Sequence, residues 1–369
     1  MKGFCLVVLV LLFSSLVNYS KATSNVDSID RAPNHNLSVK VTPLVFYRPE
    51  TKIGVGLAGN ISFKISKQDT TIQASNITVL ASYTQLKQKM LLIPFKLIFP
   101  KRTWYCEGEA DYTNFLFSYW GNGNSTLKEE FYKENYSRLV FSVIRKMPYN
   151  FYTGIKFCYE NHFFLSVDSG KNAILYNSPA IIGRNGGMYS GIGYHLTYDT
   201  RDNIYYPYKG TLLTATSLYY TPILGSTANY SRYTFDATKY LSIKPKQILV
   251  LDVIFDHTTG EVPFTQMAVI GGASKLRGYY EGRYRDKNLL NFAAEYRFKV
   301  WRRFGAVVFA NYGKVAQRMK EVLQVKYYRY TIGSGLRFMI NPQDRLNIRF
   351  DAGFGKQTQA FYLTIGEAL

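Results

Sequence analysis

The chain has 369 residues, 45 Lys and Arg against 25 Asp and Glu, a formal charge of +20, and 32 Tyr with 25 Phe. No apolar run outside the N-terminus approaches the roughly 18–20 residues of a spanning helix, and MLLIPFKLIF (90–99) is interrupted by Pro94 and Lys96, so a helical membrane protein is excluded. The basic residues are scattered through the chain rather than gathered in one block, which argues against a nucleic-acid-binding tract.

Residues 1–22 read as a secretory signal. Lys2 opens a basic start, FCLVVLVLLF (4–13) forms a short apolar core, and Ser20-Lys21-Ala22 places small residues where a signal peptidase reads. Cys5 lies inside the apolar run, which disfavours a lipoprotein anchor. Residues 23–37 then form a short polar periplasmic leader, and 38–369 form one barrel-sized domain.

From residue 38 onward, period-two alternation recurs to the end of the chain. Sixteen strands are predicted, starting near residues 38, 52, 72, 88, 103, 135, 151, 188, 210, 230, 247, 288, 304, 327, 344 and 358. In NFAAEYRFKVW (291–301), Phe292, Ala294, Tyr296, Phe298 and Val300 oppose Asn291, Glu295, Arg297 and Lys299. In RLNIRFDAGFG (345–355), Leu346, Ile348, Phe350, Ala352 and Phe354 oppose Asn347, Arg349 and Asp351. YYRYTIGSGLRFMI (327–340) repeats the pattern, with Arg329, Thr331 and Arg337 on the ionic side.

Such segments are about 10–14 residues long. Soluble strands are usually about 5–6, and a tilted membrane strand needs about 9–11. Connections alternate between short (PKR 100–102, MPYN 147–150, KPK 244–246, NPQD 341–344) and long (118–134, 166–187, 259–287). The expected fold is therefore all-β: a single 16-stranded antiparallel transmembrane β-barrel, apolar face to lipid and ionic face to the lumen. The aromatic richness fits two interfacial girdles.

Few residues suggest chemistry. GVGLAG (54–59) matches a dinucleotide fingerprint but sits in an alternating β segment with no helix after it, so strand packing explains it better. Glu107, Glu109 and Asp111 alternate along one strand face and are read as lumen carboxylates facing basic residues of other strands. His35, His162, His195 and His257 show no metal-pair spacing, and no nucleophile elbow is present. Cys106 and Cys158 are read as unpaired thiols. No catalytic residue, metal site or cofactor is expected, and the chain is read as a non-enzyme.

The exception to the alternation is GGASKLRGYYEGRYRDKN (271–288), rich in Gly, Tyr and basic residues. It lacks the ending of a phosphate-binding loop. VIGGASKLRGYYEGRYRDKN resembles the long extracellular loop of the BamA/TamA surface-antigen superfamily, whose motif G-G-x-x-x-[VL]-R-G-[FY] folds back into a sixteen-strand barrel. Supporting likenesses are VTPLVFYRPET to the family's first strand and turn, YDTRDNIYYPYKG (198–210) to its Asp-x-Arg-Asp turn, and NFAAEYRF and FANYGKV (309–315) to the strands after the motif loop.

The resemblance implies that Gly271, Gly272, Leu276, Arg277, Gly278 and Tyr279 form an inward-folded loop. It also implies that Arg277 meets Glu295 and the position of Asn311, where the family carries an Asp. On that reading Arg277→Ala should lower barrel stability or assembly yield, and the charge-swapped pair Arg277→Glu/Glu295→Arg should recover part of it. The family's POTRA and patatin domains are not expected in this chain. Leu369 departs from the aromatic residue that commonly ends such barrels.

Expected surroundings are the outer membrane of a Gram-negative bacterium and its lipid, with separate periplasmic or surface-exposed protein partners, unfolded outer-membrane protein clients and no nucleic acid. The implied role is outer-membrane protein assembly or translocation through a seam between Ser38–Tyr47 and Thr358–Glu367. The alternatives are a passive pore for small solutes and a structural, partner-binding barrel.

Overall fold

Strands follow wherever the sequence alternates, because successive side chains on extended backbone point to opposite faces. The structure, a computed structural model, describes residues 37–65, 74–100, 103–124 and 127–369. The signal and leader assignments, and the predicted strand start near 72, lie outside the described residues.

The barrel strands are β1 (Leu37–Arg48), β2 (Lys52–Phe63), β3 (Ser75–Thr84), β4 (Lys89–Ile98), β5 (Trp104–Tyr119), β6 (Glu130–Lys146), β7 (Phe151–Val167) and β8 (Gly187–Asp199). They continue with β9 (Gly210–Tyr220), β10 (Tyr230–Lys244), β11 (Gln247–Gly260), β14 (Asn288–Trp301), β15 (Phe304–Ala316), β16 (Arg329–Asn341), β17 (Leu346–Gly355) and β18 (Thr358–Ile365). Each pairs antiparallel with its neighbour, and these sixteen close into one barrel with β1 beside β18. Between β11 and β14 a small hairpin, β12 (Ala268–Ile270) and β13 (Tyr284–Asp286), stands apart from the barrel sheet.

The long connections 120–129, 168–186, 221–229, 261–287 and 317–328 gather at one end, together with the tight turns 49–51, 85–88 and 356–357, whereas 147–150, 245–246, 302–303 and 342–345 turn tightly at the other end, beside the ten-residue 200–209 connection. β5, β6 and β7 run 16, 17 and 17 residues, longer than a membrane requires, so their ends continue into the long-loop side.

The two faces are inverted relative to a soluble protein. On β16, Leu336 is 62% exposed and Arg337 only 2%. On β14 and β17 the outward Phe292 and Phe350 alternate with fully buried Glu295 and Asp351. An apolar wall facing out is stable only against lipid.

The aromatic girdle expectation needs correction. Trp104, Phe151, Trp301 and Tyr330 do face outward, but Tyr119, Tyr132, Tyr189, Tyr220, Tyr230 and Tyr362 are buried in the interior. Tyrosine suits a packed, partly polar lumen because its ring excludes water while its hydroxyl hydrogen-bonds.

The lumen is filled largely by the 261–287 connection. Ile270, Leu276, Tyr279 and Tyr284 of that segment pack with Ile254, Leu289 and Val315 of the wall in one buried cluster. GVGLAG lies within β2, and a Cβ on Gly56 would collide with the Ala81 carbonyl of β3. Close strand approach therefore accounts for that glycine.

Candidate functional site: an arginine-locked lumen loop

The backbone of the motif loop turns at Gly271, Gly272 and Gly278, whose φ values are 104°, 85° and 125°, a region closed to most side chains. Gly278 lies against the backbone of Gly353 on β17, and a Cβ on Gly353 would in turn strike the Arg277 carbonyl. Glycine on both sides allows loop and wall to touch backbone to backbone. Leu276 is fully buried at a φ of 50°, and Tyr279 meets Tyr284 edge-on at 6.0 Å.

That turn drives Arg277 into the wall, where it is fully buried. Its Nη2 lies 2.7 Å from Glu295 Oε2 on β14, and its Nη1 lies 2.9 Å from Asp351 Oδ2 on β17. The guanidinium carbon stands 3.5 Å above the ring of Phe309. A guanidinium stripped of water needs fixed acceptors and gains further from a π face.

Asn311 is not the second partner. It lies buried on β15 and donates to Thr331 Oγ1 at 3.0 Å. The second charge comes from Asp351, two strands further round the wall.

These groups belong to a larger network. Glu295 also receives Arg297 at 2.6 Å, and Arg337 at 3.9 Å. Arg337 donates to Asp351 and to Glu367, at 2.6 and 2.7 Å, and Arg349 lies 3.6 Å from Asp351. Arg297 reaches the Leu369 carbonyl at 2.9 Å. Four guanidinium groups thus share three carboxylates inside the lumen, with the Gly366–Leu369 segment folded in. β18 ends at Ile365 rather than Glu367, because Gly366 takes a φ of 87° and turns the chain inward.

The loop is also fastened beside the β1–β18 junction. Tyr362 of β18 accepts the Gly278 N–H at 3.1 Å and donates to the Tyr279 carbonyl at 3.2 Å. Thr358 donates to the Gly278 carbonyl at 2.7 Å. From the other side, Glu50 in the β1–β2 turn accepts the Glu281 N–H at 2.8 Å. Burial raises the Glu50 carboxyl above its ordinary range, against that hydrogen bond, which lowers it.

Other sequence candidates lie elsewhere on the barrel wall. Glu109 and Asp111 both pair with Arg138, the latter at 2.6 Å, and Glu107 pairs with Lys96 at 3.2 Å. His162 sits 3.0 Å from Glu134, His195 2.9 Å from Ser142, and His257 2.6 Å from Asn288. Cys106 and Cys158 are free thiols. Among the described residues no group of His, Cys, Asp and Glu could hold a metal ion.

The 198–210 turn folds around Asp202, which accepts the Tyr208 and Lys209 N–H groups and Arg345 Nη1. Burial alone would raise the Asp202 carboxyl, but Arg345 and the two amides outweigh it and hold it low. Asp351, Arg337, Glu367, Tyr362 and Glu50 were not singled out from sequence as loop partners. For Asp351 a signal existed: it is a carboxylate on the ionic face of its strand.

Comparison with known proteins supports the barrel fold and its family. The Omp85 superfamily domain matches residues 60–369. Among solved structures, BamA from Haemophilus ducreyi lacking POTRA domains 1–3 superposes with a TM-score of 0.62 at 13% identity, over 90% of this chain and 70% of that one. CdiB from Escherichia coli gives 0.61 at 9% identity, over 90% of this chain and 63% of that one. CdiB from Acinetobacter baumannii gives 0.56 at 10%, over 89% and 65%. This chain thus spans less than two thirds of either CdiB. No curated protein matches the sequence. The loop motif, carried on a barrel that the family domain covers almost from end to end, places the protein in the Omp85 superfamily.

Proposed function

We propose that this protein is an outer-membrane barrel that assembles or translocates other proteins by opening between β1 and β18, and that it is not an enzyme. One observation carries the reading. β1 pairs with β2 along its whole length, from Leu37 opposite Phe63 to Arg48 opposite Lys52. Against β18 its aligned position is Tyr47 opposite Leu363. The register would set the inner part of β1 against residues beyond Ile365, but Gly366 has turned that segment into the lumen. Val41–Leu44 of β1, which that register sets opposite Gly366–Leu369, therefore have no β18 strand beside them, and this free edge can template a client strand by β-augmentation.

Family membership and the barrel fold support an outer-membrane setting, with client proteins and separate periplasmic or surface subunits as partners. A passive pore is the weaker reading, because the 271–288 segment occupies the lumen and is held there by the charged network.

The test is a lock. Facing antiparallel residues have Cα atoms about 4.5–5.5 Å apart, within disulfide reach. Tyr47→Cys/Leu363→Cys, in a chain carrying Cys106→Ser and Cys158→Ala, should close the seam on oxidation. Cells depending on the locked protein should lose other barrels from the outer membrane, and reduction should restore them. Unchanged barrels with altered solute uptake on depletion would instead establish the pore.

A further inference from the structure

The short-turn end of the barrel carries a patch that the lumen chemistry does not use. The β10–β11 turn presents Lys244 and Lys246, and the β14–β15 turn presents Lys299, Arg302 and Arg303, all exposed. The two turns are adjacent: the Lys299 N–H donates to the Lys246 carbonyl at 3.2 Å. Neither Ser242–Gln247 nor Lys299–Phe304 contains an Asp or Glu. Among the described residues, none of these five side chains forms an ion pair.

The same turns carry apolar groups aimed outward. Trp301 is 59% exposed and stacks on Phe304 at 6.3 Å, and Ile243 and Val300 are exposed on the same rim. Arg302 lies 4.6 Å over the Trp301 ring. Tryptophan and phenylalanine in a barrel wall mark the depth where hydrocarbon meets headgroup. Lys244, Lys246, Arg302 and Arg303 therefore stand in the headgroup plane, whereas Lys299 continues the inward row of Glu295 and Arg297 at the mouth of the lumen.

Two of these basic residues sit at the tips of their turns in a conformation that glycine would take more easily. Lys246 and Arg302 have φ values of 64° and 44°, where two-residue hairpins favour Gly, Asn or Asp.

We propose that this rim is a docking site for the phosphate of an anionic phospholipid in the membrane leaflet facing the short turns. The phosphate would be bridged by Lys244, Lys246 and Arg302, with the acyl chains against Trp301 and Ile243. The inference rests on the membrane-barrel reading above. Anionic lipid attracts each basic side chain near the surface by about fivefold, so two or three converging residues give an enrichment of tenfold or more, weakened by salt.

The experiment places the full chain, with Trp104→Phe, in phosphatidylcholine bilayers doped with brominated phosphatidylglycerol or brominated phosphatidylcholine. Bromine quenches tryptophan at contact, and Trp120 is buried against Tyr280, so the signal reports Trp301. Brominated phosphatidylglycerol should quench at roughly one tenth the membrane fraction that brominated phosphatidylcholine needs. Lys246→Gly/Arg302→Gly, which relieves both strained turns, should erase the preference without changing heat-modifiable gel mobility. Lys244→Gln/Arg303→Gln should weaken it on an untouched backbone conformation. Equal quenching by the two lipids in the unaltered rim, or a preference that survives both double variants, overturns the proposal. Absence of quenching by either lipid overturns the membrane-barrel reading instead.

Discussion

Arg277→Ala should destabilise the barrel by about 3 kcal/mol, the low end of the roughly 3–5 expected when one partner of a buried ion pair is removed. The low end follows from what remains. Glu295 keeps Arg297 at 2.6 Å, and Asp351 keeps Arg337 at 2.6 Å, so neither carboxylate is left alone. Urea titration of the refolded barrel should show a midpoint lower by roughly 1 M. Arg277→Lys should lose about half as much, because one ammonium cannot span two carboxylates as a guanidinium fork does. The charge swap Arg277→Glu/Glu295→Arg should fail to recover stability, contrary to what the isolated pair implies. It would set a carboxylate at position 277 beside Asp351, and a guanidinium at position 295 beside Arg297 and Arg337. An unchanged midpoint in Arg277→Ala, or recovery in the swap, would refute the shared network.

Further expectations concern the loop's other contacts. Gly353→Ala should displace the motif loop and lower heat-modified mobility, since its Cβ would strike the Arg277 carbonyl. Tyr362→Phe removes the hydroxyl that serves Gly278 and Tyr279, at a cost of about 1–3 kcal/mol, and should raise hydrogen exchange at Gly278. Asp286 lies in the β12–β13 hairpin, where burial raises its carboxyl to about 6 against the Lys287 amide, which lowers it. Its unfolded form ionises near pH 3.8, so between about 4 and 6 the folded state holds the extra proton. Hairpin stability is therefore greatest below that window and falls as pH rises through it. Asp286→Asn should flatten this dependence in hydrogen exchange of residues 284–287, and an unaltered profile would exclude Asp286 as the cause.

The fold was legible because period-two alternation survives any barrel closure. Starts at 52, 151, 210, 230, 247, 288, 304 and 358 coincide with those observed. β6 begins earlier than expected, at Glu130, because its outer part carries interior contacts rather than a lipid face. Glu130 accepts the Ile174 and Leu175 N–H groups of the neighbouring loop. Glu295 could be reached from the motif because it follows the loop closely in sequence. Asp351 could not, since which inward residue meets a folded-back loop depends on strand stagger around the wall. Asn311 has the right position along the chain, yet its amide is spent on Thr331. The inward turn at Gly366 was hidden because YLTIGEA alternates well enough to read as strand to its end.

The motif loop is anchored on both banks of the β1–β18 junction, to Glu50 on one and to Thr358 and Tyr362 on the other. It is a tie-rod across the one weak joint of the cylinder. Widening the joint must release one anchorage, and whichever releases last decides which wall the loop travels with. In the proposed opening, lumen plugging and seam width become a single mechanical coordinate, and a ligand that grips the loop from outside would set the gap between two strands it never touches.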